Sequence, residues 1–272
     1  MRRAPAAAKI NLALVVGPER SDGRHEVTTV LQRVDLCDRI QVEAATELCV
    51  TGFAHDTIVR AALEALAGAA GAAPAFAATI TKRIPVAGGL GGGSSDAATA
   101  LRLANELLPE PLDPAGLIEI ARGLGADVPF FLAPGPQLGE GDGRDLRPVL
   151  LPQDYWVLLL LPHREAKEST AAVYRRFDER DGERGYDQRR AVLLEALERV
   201  ERPRDLAALP PNDLAASQLT AELRELGAFR ADVSGAGPTV YGLFARRSDA
   251  RAAKRALERR GSVWITVPAW YF

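Results

Sequence analysis

The residues best suited to chemistry form a glycine-rich segment in the first half of the chain. Five glycines occupy the six positions from Gly88 to Gly93, between a predicted strand and a predicted helix. Glycine allows positive φ and lets a ligand approach the backbone N–H groups closely. A helix beginning at Ser94 and Ser95 would add unpaired N–H donors and the positive end of its dipole. The segment therefore predicts a phosphate-binding loop rather than a flexible surface loop.

The two commonest nucleotide-binding motifs do not fit this loop. A Walker loop ends in Gly-Lys followed by Ser or Thr, and the chain contains no Gly-Lys pair. A Rossmann fingerprint needs glycine or alanine at its sixth position, where counting from Gly89 gives Ser94. Both classes are therefore excluded.

Three separate segments instead match the signature of one kinase superfamily. Pro85, residues 89–91 and the Ser94-Ser95 pair resemble the long phosphate loop of the galactokinase, homoserine kinase, mevalonate kinase and phosphomevalonate kinase superfamily. Residues 8–12 resemble its first motif, and residues 233–240 resemble its third. The resemblance is strong because the three motifs occur in the right order along the chain.

Within that superfamily the chain resembles the 4-diphosphocytidyl-2-C-methyl-D-erythritol kinases over nearly its whole length. Residues 22–27 resemble their Asp-Gly-Tyr-His segment, residues 124–131 their catalytic segment, and residues 170–174 a stretch that lines the substrate. The resemblance implies ATP-dependent phosphorylation of the 2-hydroxyl of 4-diphosphocytidyl-2-C-methyl-D-erythritol, giving the 2-phosphate and ADP in non-mevalonate isoprenoid (isopentenyl diphosphate) biosynthesis. It also implies ATP and Mg²⁺ as cofactors and a cytidine-diphosphate-linked polyol as the small-molecule partner.

The resemblance implies that Asp127 and Lys9 are catalytic. Phosphoryl transfer to an alcohol requires positioning, neutralised phosphate charge and an acceptor for the hydroxyl proton. Asp127 would accept or orient that proton, the alternative being an aspartate that only ends a helix or turn. Lys9 opens a predicted buried strand, where an unpaired ammonium would be costly. Pairing with Asp127 would relieve that cost, the alternative being a lysine that extends to the strand's edge.

The resemblance also implies binding residues for both substrates. Ser94 and Ser95 could cap the helix and contact phosphate, and Lys82 would lie near the adenine unless it is a solvated strand end. His25 would hydrogen-bond the cytosine and Tyr174 would stack on it, unless both are structural. The implied nucleotide-binding residues are Lys82, Pro85, Val86, Ala87, Gly88, Gly89, Leu90, Gly91, Gly92, Gly93, Ser94 and Ser95. The implied substrate-binding residues are Asn11, Arg24, His25, Thr170, Tyr174, Gly235 and Gly237.

Three residues depart from the expected pattern or conflict with it. Arg24 replaces the family's usual tyrosine, although an arginine plane can also stack on a base. Thr57 stands where the family usually has asparagine. Asp96 suits the helix dipole but would repel a triphosphate unless it faces away, pairs with an arginine or helps to hold the metal's water shell. The sequence identifies no protein ligand for the metal.

Two other functions share parts of this pattern. A kinase for a smaller alcohol, such as homoserine or mevalonate, would use the same loop. An assay with several alcohols would distinguish it from a kinase for the cytidine-diphosphate-linked polyol. A non-catalytic nucleotide sensor should have lost Lys9 or Asp127, and both are present.

Composition excludes several classes of protein. The 34 basic and 36 acidic residues give a net charge of −2, which lacks the basic excess that nucleic-acid binding requires. Cys37 and Cys49 are too few for a disulfide framework, and no apolar run approaches the ~20 residues of a membrane span. Lys9 and Asn11 interrupt the apolar N-terminal stretch, unlike in a signal peptide. We expect a cytoplasmic protein that binds neither nucleic acid nor membranes; the sequence does not indicate its oligomeric state.

Mixed strands and helices must position these residues. Strands are predicted at 10–16, 26–42, 75–81, 155–161 and 262–267, with a strand–turn–strand at 231–244. Helices are predicted at 57–69, 97–108, 117–124, 168–180, 189–202, 214–226 and 248–260, with a charged loop over 178–190. The irregular order favours α+β layers over a doubly wound sheet. The resemblance implies a two-domain small-molecule kinase fold with its active site in the cleft between domains, and we expect an ATP-binding domain at 1–150 and a substrate-side domain at 151–272.

Overall fold

A computed structural model of the chain describes residues 1–71, 75–163 and 169–269. The strands are β1 (Arg2–Glu19), β2 (His25–Ala44), β3 (Cys49–Thr51), β4 (Phe76–Thr81), β5 (Gln137–Glu140), β6 (Asp145–Pro148), β7 (Trp156–Pro162), β8 (Arg230–Val233), β9 (Val240–Phe244) and β10 (Gly261–Thr266). The helices are α1 (Ile58–Ala69), α2 (Gly92–Asn105), α3 (Pro114–Leu124), α4 (Val128–Leu132), α5 (Thr170–Glu179), α6 (Tyr186–Glu198), α7 (Leu219–Glu225) and α8 (Arg247–Leu257), with a 3₁₀ helix at Pro203–Ala208.

The chain divides into two compact units, and neither is continuous in sequence. Unit 1 comprises residues 1–8, 36–86 and 91–134, and unit 2 comprises residues 9–35, 87–90 and the chain from Gly135 onward. Strands β1 and β2 are long enough, at 18 and 20 residues, to contribute to both units. The units therefore differ from a single division at residue 150, and the assignment of ATP to 1–150 and of substrate to 151–272 stays a prediction.

Unit 1 packs helices against a small sheet. Residues 39–44 of β2 pair antiparallel with β4, and β3 pairs parallel with the same strand. Alternate residues of β4 (Phe76, Ala78 and Ile80) are buried, as expected for a strand with one covered face. Helix α1 buries residues spaced three and four apart, which is the pattern of an amphipathic helix; they are Val59, Ala62, Leu63, Leu66 and Ala67.

Helix α2 lies deep in unit 1, directly after the glycine-rich loop. Ten of its fourteen residues are buried, and its many alanines allow close packing on several sides. Ala98, Leu101 and Ala104 belong to the same apolar cluster as Leu63 of α1 and Ile80 of β4. The start of α2 is therefore held by the core of unit 1.

Unit 2 contains an antiparallel sheet with the strand order β10-β7-β9-β8. Leu158 and Leu160 of β7 pack in one cluster with Val240, Phe244 and Leu257. Strand β5 pairs with residues 29–31 of β2 and forms a hairpin with β6. The sequence did not predict this hairpin.

Several predicted helices differ in length from those in the structure. The helix predicted at 97–108 begins at Gly92, and the one predicted at 214–226 spans only Leu219–Glu225. The predicted first residue of the 168–180 helix lies outside the described residues, and α5 begins at Thr170, after Ser169 Oγ accepts a hydrogen bond from Ala172 N. The prediction of a charged loop over 178–190 is wrong, because only residues 180–185 separate α5 from α6.

Candidate active site

The glycine-rich loop has the backbone conformation of an anion site. Ala87, Gly89 and Gly91 have positive φ angles of 67°, 79° and 68°. Left-handed residues in alternation are typical of the N–H nests that bind phosphate. Ala87 is a non-glycine residue in this region, which costs energy and is most common at ligand-binding turns. The loop therefore has a backbone conformation suited to an anion, and its binding of the phosphates of ATP stays a prediction.

Close backbone packing fixes residues 88–89 of the loop against the third motif. A Cβ on Gly89 would lie 2.5 Å from the Ser234 carbonyl oxygen, and one on Gly237 would lie 2.3 Å from the Gly89 Cα. Ser234 Oγ donates to the Gly89 carbonyl at 3.0 Å, and Thr239 N donates to the Gly88 carbonyl at 3.3 Å. Glycine is required at 89 and 237 because no side chain fits between these backbones.

Helix α2 begins earlier than the two serines. Its N-cap is Gly91 in the left-handed conformation, and Ser95 N donates to the Gly91 carbonyl at 2.9 Å. The prediction that Ser94 and Ser95 cap the helix is therefore wrong, since both lie inside its first turns. The first backbone N–H groups of this 14-residue helix and its dipole still favour a phosphate at this end.

Lys82 and Asp96 belong to one ionic cluster in unit 1. The Lys82 ammonium lies 2.8 Å from Asp96 Oδ2 and also pairs with Asp38. Asp38 is buried as well and accepts backbone hydrogen bonds from Arg83 and Ile84. Asp96 therefore pairs with a lysine rather than with an arginine, and two of the three N–H donors of Lys82 are engaged. Contact of Lys82 with adenine stays a prediction.

The cluster changes the acidity of Asp96. Burial, followed by repulsion from Asp38, raises the pKa of Asp96 to about 7 against the opposing effect of Lys82. Its Oδ1 atom is buried without a hydrogen-bond partner among the residues that the structure describes. Both observations indicate that ionised Asp96 is poorly compensated at neutral pH.

We expect Asp96→Asn to flatten the pH dependence of stability. Between about pH 4 and pH 7 the folded chain binds more protons at Asp96 than the unfolded chain, so the unfolding free energy of the wild type falls as pH rises through this window. As pH rises from 5 to 7, the unfolding free energy of the variant should increase by roughly 2 kcal/mol relative to that of the wild type. Urea unfolding at several pH values measures this difference. Lys82→Met should instead steepen the fall of the unfolding free energy with pH. A difference in unfolding free energy between Asp96→Asn and wild type that stays constant across pH would contradict the prediction.

Lys9 is buried in β1 beside the third motif. Its Nζ donates to Asn11 Oδ1 at 2.8 Å, and its backbone N donates to the Leu90 carbonyl at 2.9 Å. A Cβ built on Gly235, whose φ is +58°, would lie 3.3 Å from Asn11 Oδ1 and 3.5 Å from Lys9 Nζ. The structure thus brings Lys9, Asn11 and Gly235 together. The alternative of a lysine extended into solvent is wrong, since Lys9 is 5% exposed.

Asp127 precedes the short helix α4. It occupies the N-cap position with helical backbone angles, and its side chain makes no capping hydrogen bond to that helix. Val128 and Pro129 behind it are buried, while Asp127 itself is partly exposed. Its carboxylate is therefore not used to terminate the helix. The pairing of Asp127 with Lys9 stays a prediction.

The expected cytosine-binding residues meet in unit 2. The rings of His25 and Tyr174 lie 4.8 Å apart between centroids. His25 Nε2 hydrogen-bonds Asp178 Oδ1 at 2.7 Å. Thr170, which is exposed, stands four residues before Tyr174 and thus on the same face of α5. One helix face therefore carries two of the predicted residues together with the partner of His25.

Arg24 is held by the β5–β6 hairpin. Its Nη1 donates to Asp142 Oδ2 at 2.6 Å, and Arg144 Nε donates to the same oxygen at 2.7 Å. Hydrogen bonding from Arg144, with a further bond from Arg24, lowers the pKa of Asp142 to about 2. Arg24 remains half exposed, at 53% of its side chain. Its position is fixed at one edge of the guanidinium, and much of the group stays accessible.

Two family models match separate parts of the chain, and curated relatives match it almost from end to end. The GHMP kinases N terminal domain matches residues 56–135, and GHMP kinases C terminal matches residues 194–263. The chain is 39% identical to the 4-diphosphocytidyl-2-C-methyl-D-erythritol kinase of Pelobacter propionicus, over 97% of this chain and 96% of that protein. It is 35% identical to the kinase of the same name from Geobacter sulfurreducens, over 96% and 95%. The chain belongs to this kinase family.

Solved structures confirm the predicted α+β kinase fold. The crystal structure of a 4-(cytidine 5'-diphospho)-2C-methyl-D-erythritol kinase superposes with a TM-score of 0.80 at 32% identity, covering 98% of this chain and 99% of the other. Mevalonate kinase of Methanococcus jannaschii shares the fold, with a TM-score of 0.76 at 12% identity over 98% of both chains. As a member of the 4-diphosphocytidyl-2-C-methyl-D-erythritol kinase family, the chain is an ATP-dependent small-molecule kinase.

Several residues that contact the predicted site residues were not expected from the sequence. Asn212 was not predicted as a site residue, yet its Nδ2 donates to the carbonyls of Val233 and Gly235 at 3.0 and 2.7 Å. Asp142 and Asp178 were not expected as partners of Arg24 and His25. The Arg24–Asp142 and His25–Asp178 contacts each join positions more than a hundred residues apart, so no local pattern could have indicated them.

Within residues 1–71, 75–163 and 169–269, no three His, Cys, Asp or Glu side chains come together in a way that could hold a metal ion. None of the helices in the same described residues combines the length and the apolar character that crossing a membrane requires.

Proposed function

We propose that the chain transfers the γ-phosphoryl group of ATP to the 2-hydroxyl of 4-diphosphocytidyl-2-C-methyl-D-erythritol, giving the 2-phosphate and ADP in non-mevalonate isoprenoid biosynthesis. The observation that carries this proposal is the 39% identity over 97% of the chain to a kinase of that name. The buried Lys9–Asn11 pair, the nest-like loop and Asp127 supply the chemistry that such a transfer needs.

The phosphate end of the reaction is assigned to three groups. Backbone N–H groups of residues 85–95 and the first turn of α2 bind the phosphates. The Lys9 ammonium stabilises the negative charge on the phosphoryl oxygens during transfer. Asp127 accepts the proton of the 2-hydroxyl as its oxygen attacks phosphorus and ADP leaves. Mg²⁺ would accompany ATP and screen its phosphate charge, and no protein ligand is assigned to it.

The cytidine end of the substrate is assigned to unit 2. Tyr174 offers a stacking face, and His25 offers Nδ1, because its Nε2 is engaged with Asp178. A ring nitrogen that accepts or donates one hydrogen bond can distinguish the edge of a pyrimidine. Asn11, Thr170 and the glycines at 235 and 237 would line the remainder of the substrate. The cytoplasmic location of the chain remains a prediction from the sequence.

An assay of ADP release with several alcohols tests the proposed function. We expect turnover with 4-diphosphocytidyl-2-C-methyl-D-erythritol and at least about 100-fold lower kcat/KM with homoserine or mevalonate, because the small alcohols lack the cytidine contacts. Equal or better turnover of a small alcohol would replace the proposal with the smaller-alcohol kinase. ATP binding without turnover of any alcohol would favour a nucleotide sensor.

Arg24 gives a separate prediction about the substrate, because it replaces the family's tyrosine. If its guanidinium stacks on the base or reaches the diphosphate, Arg24→Ala should raise KM for the cytidine-linked alcohol about 5- to 150-fold. KM for ATP should be unchanged. Arg24→Tyr should restore much of the affinity if stacking is the role, and it should lose salt sensitivity if the diphosphate is the partner.

The ion pair with Asp142 bears on which role Arg24 has in substrate binding. Because Asp142 neutralises part of the Arg24 charge, the structure favours stacking over diphosphate binding. KM values within twofold of wild type for both Arg24 variants would show that Arg24 serves only to hold the β5–β6 hairpin. Steady-state kinetics at low and high salt decide between the roles.

A further inference from the structure

A chain of hydrogen bonds leads from the buried interior of β2 to the Lys9 ammonium. Lys9 Nζ donates to Asn11 Oδ1 at 2.8 Å, and Asn11 Nδ2 donates to Thr29 Oγ1 at 2.9 Å. Thr29 Oγ1 in turn donates to the Ala13 carbonyl at 2.8 Å. The three side chains are at most 5% exposed, so water does not substitute for these bonds.

The chemistry of the groups fixes the direction of every bond in this chain. An ammonium only donates, so the Asn11 atom that faces Lys9 must be the carbonyl oxygen. A hydroxyl has one proton, and Thr29 gives that proton to Ala13, so its oxygen must accept from the Asn11 amide. The reversed amide would turn its NH₂ toward the ammonium. Thr29 therefore determines which end of the Asn11 amide meets Lys9.

We propose that Thr29 is a positioning residue for phosphoryl transfer, which acts through Asn11 on the Lys9 ammonium. The inference rests on the proposed function, because that function gives Lys9 its role at the transferring phosphoryl group. Without the Thr29 hydroxyl, a buried N–H of Asn11 loses its acceptor. The Asn11 amide can then rotate, and Lys9 Nζ loses Asn11 Oδ1 as the acceptor that fixes its position.

Paired substitutions on one strand test the inference. Thr29→Val removes the hydroxyl and keeps the shape of the side chain, while Thr29→Ser keeps the hydroxyl. Thr28→Val is the matched control, because Thr28 is also buried in β2 and its hydroxyl contacts Tyr186 Oη at 3.0 Å instead. We expect Thr29→Val to lower kcat about 10- to 100-fold, with KM for ATP within about twofold. Thr29→Ser and Thr28→Val should keep kcat within about twofold of wild type.

A double substitution separates positioning from general destabilisation. If Thr29 acts through Lys9, Thr29→Val should lower the residual kcat of Lys9→Met by less than about twofold. Thermal unfolding of the two valine variants should show similar losses, since each removes one buried hydroxyl. Should Thr29→Val be insoluble, Thr29→Ala removes the same hydroxyl and takes its place in the comparison.

Two results would overturn the role of Thr29. One is an equal loss of kcat in Thr29→Val and Thr28→Val; the other is an undiminished effect of Thr29→Val in the Lys9→Met background. Failure of the proposed function is a distinct result, since the wild type would then phosphorylate a different alcohol. The same comparison of variants on that alcohol still decides whether Thr29 positions Lys9.

Discussion

Asp127→Asn should lower kcat by at least about 100-fold while leaving the affinity for ATP nearly unchanged. Asparagine has nearly the shape of aspartate but cannot take up the proton of the attacking hydroxyl. The carboxylate does not cap helix α4, so its loss should not disturb the local backbone. Steady-state kinetics and calorimetric titration with ATP measure the two quantities separately.

Asp113→Asn is the matched control for this substitution. Asp113 lies at the N-terminus of α3, where its Oδ1 accepts a hydrogen bond from Gly116 N at 2.8 Å, and asparagine caps helices about as well. Its kcat should equal that of the wild type. Normal turnover by Asp127→Asn would remove Asp127 from the chemistry, and a loss of ATP affinity equal to the loss of kcat would reduce it to a binding residue.

Gly91→Val should abolish detectable ATP binding while the chain still folds. Gly91 has a φ of +68° at the N-cap of α2, where a β-branched residue is strongly disfavoured. Relaxing that strain would move the loop and the first N–H groups of the helix, and the valine side chain would obstruct a phosphate. Calorimetric titration with ATP measures the binding, and circular dichroism confirms the fold.

Gly68→Val provides the same substitution without the same conflict. Gly68 lies near the end of α1, and a Cβ there would have no neighbour within 4 Å. This variant should bind ATP as the wild type does, with little change in stability, because valine has a somewhat higher helix propensity than glycine. Unchanged ATP affinity in Gly91→Val would show that the glycine-rich loop is not the phosphate site.

The sequence predicted the elements whose local patterns are strong. The helices predicted at 57–69 and 117–124 begin within three residues of α1 (Ile58–Ala69) and α3 (Pro114–Leu124), because propensity, capping and burial agree there. The α+β class followed from the irregular order of strands and helices. Glycine density correctly predicted a left-handed loop ahead of a helix, although α2 begins at Gly92 rather than at Ser94.

The missed features depend on contacts between distant positions. Strands β5 and β6 are only four residues each, too short for a clear alternating pattern, so the hairpin that carries Asp142 was not predicted. The sequence left open how the Asp96 carboxylate is compensated beside a bound triphosphate. In the structure it pairs with Lys82, which directly follows β4 and precedes the glycine-rich loop. Such contacts arise from tertiary packing, which local patterns do not encode.

Lysine is scarce in this chain, with only four among its 34 basic residues. In a chain so rich in arginine, a lysine indicates a position that needs a compact charge, and Lys9 and Lys82 both lie near the recognised motifs. The structure places Lys9 against Asn11 and Lys82 between two carboxylates.

Phosphorus NMR of the reaction product tests the central claim most directly. The wild-type chain, incubated with ATP, Mg²⁺ and 4-diphosphocytidyl-2-C-methyl-D-erythritol, should form one ADP for each new phosphate monoester, and that phosphate should be bonded to the 2-oxygen of the polyol. Under the same conditions Asp127→Asn should form almost none. ADP formation without a new monoester, or a monoester on the ribose or on another hydroxyl, would contradict the account.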